Sequence, residues 1–170
     1  MIDVDIIADR LRESRKMAIL AIDPGNVKSA YVVYSDGMPK HFGKIDNGDM
    51  LEVIQKYKHS TECLAIEMVA CYGMKVGATI FETAYWTGVF AQAYGLNRTT
   101  KVYRKDVKMH LCSSMRAKDG NIRQAIIDKY PPSGGGKTPQ IGVKANPGPL
   151  YGISADVWAA LGVAITYCND

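Results

Sequence analysis

Residues 17–23, MAILAID, are an unbroken apolar run closed by Asp23, Pro24, Gly25 and Asn26, and a second apolar run, SAYVVYS, follows at 29–35. A short continuous apolar stretch ended by a Pro-Gly turn is the pattern of a buried strand. Two of them across one tight turn predict a hairpin. That hairpin supplies the first two strands of a sheet, and the rest of the chain has to cover it.

The following segments supply the cover. A third strand is expected at 40–46, KHFGKID, and Leu51, Ile54 and Tyr57 have helical spacing in a helix over 50–58. ECLAIE, 62–67, reads as a short buried strand ending in a carboxylate. Because it returns after a helix, it is expected to lie parallel to an earlier strand. A long helix over 75–94 carries Ile80, Phe81, Ala84, Tyr85, Val89 and Phe90 on one side. Its small residues Thr79, Thr83, Thr87 and Ala91 recur at four-residue spacing and permit close approach of a second helix. TTKVY, 99–103, is a fifth strand, followed by a basic helical region over 104–129. Residues 131–151 are rich in glycine and proline and predict a mobile loop. The last element, ISADVWAALGVAITYC, is apolar on nearly every side and predicts a buried helix packed on the sheet. Residues 1–16 have the pattern of a short amphipathic helix appended to a domain body running from 17 to 170.

With 170 residues, 47% of them hydrophobic, one compact domain with a substantial core is expected. No apolar run approaches the ~18 residues that span a bilayer, and the first sixteen residues are too charged for a signal peptide. A soluble, cytoplasmic protein with no membrane partner is the expectation. Cys63, Cys71, Cys112 and Cys168 lie far apart and match neither a zinc site nor a disulfide scaffold. The net charge of +4 is modest, but its distribution is uneven. Lys101, Arg104, Lys105, Lys108, Arg116, Lys118 and Arg123 face only Asp106 and Asp119, a local excess of +5. Such a concentration suits a phosphate-binding face, although a charge run is more commonly a solvated helix face.

Three acids stand at element ends. Asp23 closes the first strand, Glu67 closes the fourth, and Asp156 falls in the first turn of the last helix after Ser154, the expected N-cap. If strands one and four are parallel neighbours, their carboxyl ends bring Asp23 and Glu67 side by side, where open α/β sheets place their ligand sites. A helix across that end adds Asp156. Clustered carboxylates repel unless protons or a divalent cation offset their charge. All-oxygen ligands without a His or Cys cluster favour Mg²⁺ or Mn²⁺ over zinc, and such ions catalyse phosphodiester hydrolysis. Each acid also has a structural explanation: Asp23 as turn chemistry, Asp156 as a helix-dipole partner, Glu67 as a strand end in solvent.

These residues resemble a known family. AIDPGNVKSAYVVY, CLAIEMV, GATIFETAYWTGVFAQAYG, VYRKDVKMHL and SADVWAALGVAITYC together are similar to successive stretches of the RuvC family of Holliday-junction resolvases. The resemblance implies an α/β, RNase H-like fold: a five-stranded mixed sheet in the order 3-2-1-4-5 with helices on both faces. It implies catalytic metal ligands at Asp23, Glu67 and Asp156, with Mg²⁺ as cofactor and Mn²⁺ substituting. DNA contacts are implied at Lys108 and Lys118, with Arg104 and Lys105 beside them and Tyr72 as an aromatic that stacks on an unpaired base. The implied assembly is a homodimer that holds a branched, four-way DNA and nicks two strands symmetrically. Two departures matter, the first being that Tyr72 is slightly displaced from the position of the family's stacking aromatic. The family carries a second ligand three residues away on the closing helix, and here those positions are Ile153 and Ala159.

Three rival readings compete with this one. An ATP-dependent phosphotransferase of the actin type also opens with a strand and an aspartate, but needs two such domains. A junction-binding protein without catalysis suits the missing ligand. A nuclease of the same fold acting on other branched DNA or structured RNA is compatible with every motif. SGGGKT, 133–138, lacks the first glycine of a P-loop and follows a helix rather than a strand, so it reads as a basic loop able to reach DNA through Lys137 and Lys144. His41, His59 and His110 share no ligand spacing.

Overall fold

The computed structural model describes residues 18–71, Gly73 and residues 75–169. The appendage expected at 1–16, Met17 at the start of the domain body, and Tyr72 lie outside them. Five strands form one sheet: β1 (Ile19–Asp23), β2 (Lys28–Ser35), β3 (Met38–Asp46), β4 (Leu64–Met68) and β5 (Thr99–Tyr103), in the order β3-β2-β1-β4-β5. β2 runs antiparallel to β1 and β3, whereas β4 is parallel to β1 and to β5. The mixed sheet and its order are those expected. β3 begins two residues earlier than the composition suggests. Asp36 and Gly37 both have positive φ, 56° and 69°, the two-residue turn that matches the twist of antiparallel strands.

Helices cover both faces. On one lie α1 (Asn47–Tyr57) and α2 (Ala78–Tyr94), and Leu20, Ile22, Leu64 and Ile66 point into the cluster that holds Met50, Ile54 and Phe90. On the other lies α5 (Val157–Cys168), with Ile19, Ala21, Ala65 and Val102 beneath Leu161 and Ile165. Strand alternation explains the division, since odd-numbered residues of β1 and β4 face α5 and even-numbered ones face α2.

Three helical expectations change. The basic region divides into α3 (Arg104–Cys112) and α4 (Asp119–Asp128). The break falls at Ser113, whose φ of 50° ends α3 in the left-handed conformation, beside Ser114, which like Ser113 favours turns over helix. The small-residue stripe of α2 turns inward from Thr83 on, with Thr79 exposed: Thr83 and Thr87 are buried and donate their hydroxyls to the carbonyls of Thr79 and Thr83. The helix that packs against α2 is α1 of the same chain. What α2 exposes is Phe81, 68% accessible, and Tyr85, 63%. Asp156 stands one position before α5 as its N-cap, with Ser154 part of a preceding turn.

The Gly/Pro-rich segment carries a small hairpin of its own, β6 (Gly142–Val143) against β7 (Asn146–Pro147). Gly134 donates to the Pro139 carbonyl, Gly135 to Asn146 and Gly148 to Ile141. Glycine is required here because a Cβ on Gly142 or Gly148 would lie 2.2 Å from a backbone atom of the crossing chain. Composition conceals this arrangement, since its hydrogen bonds depend on close backbone approach and not on a strand-like pattern.

Candidate active site

The sheet register builds the site. Leu20, Ala21 and Ile22 of β1 pair with Leu64, Ala65 and Ile66 of β4. The same offset carried one step further sets Asp23 beside Glu67. Asp23 pairs on its other side with Ala30, and Ala30 with Lys44. One row across the sheet therefore reads Lys44, Ala30, Asp23, Glu67, Val102. By alternation Asp23 and Glu67 share the face of Ala21 and Ala65, beneath the N-terminus of α5, where Asp156 sits.

The turn after Asp23 is tied down. The Gly25 amide donates to Ser29 Oγ, Ser29 donates to Asn47 Oδ1 at 2.6 Å, and Asn47 Nδ2 returns a hydrogen bond to the Gly25 carbonyl. Ser29 and Asn47 are fully buried, so these bonds satisfy groups that would otherwise be costly to desolvate. A Cβ at Gly25 would lie 2.2 Å from the Lys28 carbonyl oxygen, so the turn accepts only glycine without rearrangement.

The electrostatics are those of a crowded acidic pair. Burial, followed by the charge of Glu67, pushes the Asp23 carboxyl up to about 8. Arg104 and Lys44 oppose that shift and Asp156 adds to it. Glu67 is also raised, mainly by burial, against the pull of the Arg104 guanidinium and a hydrogen bond with Asp23. The pair shares its protons because two buried carboxylates this close resist double ionisation.

Basic residues partner the acids. Arg104, the first residue of α3, lies 3.5 Å from Glu67 through Nη1 and 2.7 Å from Asp119 through Nη2. Lys44 lies 2.5 Å from Asp156. Arg104, Asp119, Arg123, Asp156 and Trp158 line one cleft, with Ala159 at its wall and the Arg123 guanidinium 4.9 Å over the Trp158 ring. Lys105 and Lys118 are exposed and Lys108 is half-buried, on the two helices that border this cleft. Sequence reasoning does not single out Lys44, Asp119 or Arg123 as site residues. Lys44 is legible as an alternate residue of the third strand, whereas Asp119 and Arg123 enter only through the fold of α4 against α5.

The expected carboxylates come together unequally. Asp23 and Glu67 are adjacent, while Asp156, its side chain 53% exposed, turns to Lys44. Among the described residues no three His, Cys, Asp or Glu side chains are grouped closely enough to hold a metal ion together. The donor chemistry of the pair nevertheless fits a hard divalent cation. Two carboxyls that burial raises above their ordinary values, Asp23 to about 8, offer oxygen ligands whose charge such an ion would offset.

No protein-family model and no curated protein matches the sequence. Solved structures do. Thermus thermophilus RuvC superimposes with a TM-score of 0.60 at 14% identity, covering 90% of this chain and 94% of that one. T. thermophilus RuvC in complex with Holliday junction substrate gives 0.62 at 12%, covering 90% and 93%. The chain has a RuvC-like, RNase H-like fold.

Proposed function

We propose that this chain is a structure-selective endonuclease that resolves four-way DNA junctions by metal-dependent phosphodiester hydrolysis. The observation that carries the reading is the adjacency of Asp23 and Glu67 at the carboxyl ends of two parallel strands, under a helix start bearing Asp156 and beside a basic edge. That the same fold has been solved on a Holliday junction supports the choice of substrate.

Asp23 and Glu67 would hold a Mg²⁺ ion, with Mn²⁺ as a substitute, and Asp156 would join them on exchanging Lys44. When bound, such an ion lowers the pKa of a coordinated water and stabilises the leaving oxygen of a phosphodiester. The protein's own part is positioning. Arg104 and Arg123 face the cleft as donors for phosphate oxygens, and Lys105, Lys108 and Lys118 extend the positive surface along the strand's approach. The functional unit is a homodimer, as a two-fold substrate with two scissile strands requires, formed through the outward Phe81 and Tyr85 face of α2.

Incubating the wild type and Glu67→Gln with four-way, flapped and linear DNA and with structured RNA, with and without Mg²⁺, tests the reading. Metal-dependent paired nicks in the four-way junction, absent in the variant, are the expected result. A second reading, a junction-binding protein without catalysis, is favoured by the Lys44 pairing of Asp156 and by Ala159 in the cleft wall. Binding without cleavage under every metal condition would establish it. Among the described residues no helix is long and apolar enough to cross a membrane.

A further inference from the structure

The segment between α4 and α5 holds no acidic residue from Lys129 to Ala155, yet carries Lys129, Lys137 and Lys144. Its backbone is fixed by the crossing at Gly134, Gly142 and Gly148 and by the Leu150 amide donating to the Gln140 carbonyl. Its base is anchored: Leu150 is fully buried and Ile141 packs on the same core cluster, under α5. Its tip is not. Residues 143–147 are exposed, Val143 at 44%, and Lys137 is exposed beside them. Ordering such a tip costs on the order of 1–2 kcal/mol per residue in backbone entropy, and the tip recovers none of it by burial.

The position of the segment supplies a use. A Cβ on Gly152 would meet the Phe42 ring at 3.5 Å, so the chain returns to Asp156 directly over β3. Phe42 stands two residues from Lys44, in the strand that borders the acid row. The segment therefore passes β3 on its way to Asp156, and β3 lies at the opposite edge of the sheet from β5, which leads into the basic α3.

We propose that the hairpin between Gly134 and Gly148 is a preformed prong that grips the sugar-phosphate backbone of the nucleic acid on the β3 side of the site, through Lys137 and Lys144. The inference rests on the endonuclease reading and names a contact that this reading does not require. Rigid presentation explains the glycines, since a prong fixed in advance loses little entropy on binding.

The test is a salt titration of binding to a labelled four-way DNA junction in Ca²⁺-free, Mg²⁺-free buffer. Lys137→Gln/Lys144→Gln is expected to lower affinity about tenfold and to make the log–log salt slope shallower by ~0.9 for each phosphate that the lysines no longer neutralise, with an unchanged melting temperature. Gly148→Ala, which displaces the crossing chain while keeping both lysines, is expected to lose affinity as well. Lys40→Gln, which removes one charge from β3 away from the acid row, serves as the charge control and should bind nearly as the wild type. Wild-type affinity and slope in the double variant would overturn the prong and leave the endonuclease reading standing. A wild type that binds none of the branched or linear nucleic acids would overturn both.

Discussion

Lys44 and Asp156 stand on different elements, β3 and the start of α5, and their side chains meet at 2.5 Å. The lysine occupies the place that a cation would take beside this carboxylate. Both side chains are more than one-third exposed, so the pair contributes only ~0–1 kcal/mol to stability. Lys44→Gln should therefore melt close to the wild type while binding Mg²⁺ several-fold more tightly, because a competing charge has gone. Calorimetric titration with Mg²⁺ checks this, and unchanged or weaker affinity would show that Lys44 does not compete.

Asp23→Asn and Glu67→Gln should each reduce cleavage by several powers of ten while leaving junction binding intact, since groups that work as one unit lose most of their effect at the first deletion. Without metal, both variants should be more stable than the wild type near neutral pH because each removes a carboxyl whose ionisation is opposed by burial in the folded state. Asp156→Asn should differ. Its charge is already balanced by Lys44, so its melting temperature should stay the same or fall slightly while cleavage is lost. Retained cleavage in Asp156→Asn would reduce Asp156 to a helix-start residue.

The metal-free protein should lose stability as pH rises. The Asp23 carboxyl titrates near 3.8 when unfolded and at about 8 when folded, so between these values the folded state binds more protons. Stability then falls with pH across that window, by a few kcal/mol at most, and is fully present only below about pH 4. Thermal melts of the wild type and Asp23→Asn from pH 4 to 8, with chelator, should show a slope in the former that flattens in the latter. Parallel curves would contradict it.

In the proposed homodimer the outward Phe81 and Tyr85 face of α2 forms the contact. Tyr85→Arg should give a folded monomer by light scattering, with paired nicking replaced by weak single nicks. Thr83→Arg should instead unfold the chain, since an unpaired charge would enter the α1–α2 contact at a cost of roughly 3 kcal/mol or more. A Tyr85→Arg protein that elutes and scatters like the wild type would place the contact elsewhere.

β1, β2 and β4 are legible because they are short apolar runs ended by turn residues or an acid, and the parallel crossover makes Asp23 and Glu67 neighbours. The start of β3 at Met38 falls before the expected 40, because the Asp36-Gly37 turn that sets it lies outside the expected pattern. Periodicity is less informative for α2. A stripe of small residues has the same spacing whether it meets a symmetry mate or the interior of its own chain, and the burial of Thr83 and Thr87 in the single chain decides between them. The ion pairs of Lys44 and Arg104 are beyond reach, because each joins residues whose separation in sequence carries no periodic signal.

Helix α5 covers Ala21, Val32 and Ala65 and has Asp156 as its N-cap. During synthesis the sheet emerges with one greasy face bare, and that face stays open until the stretch ending at Cys168 has cleared the ribosome. A chain interrupted before α5 would expose this surface to aggregation and would lack the third acid as well. The element that finishes the core also sets Asp156 beside Lys44.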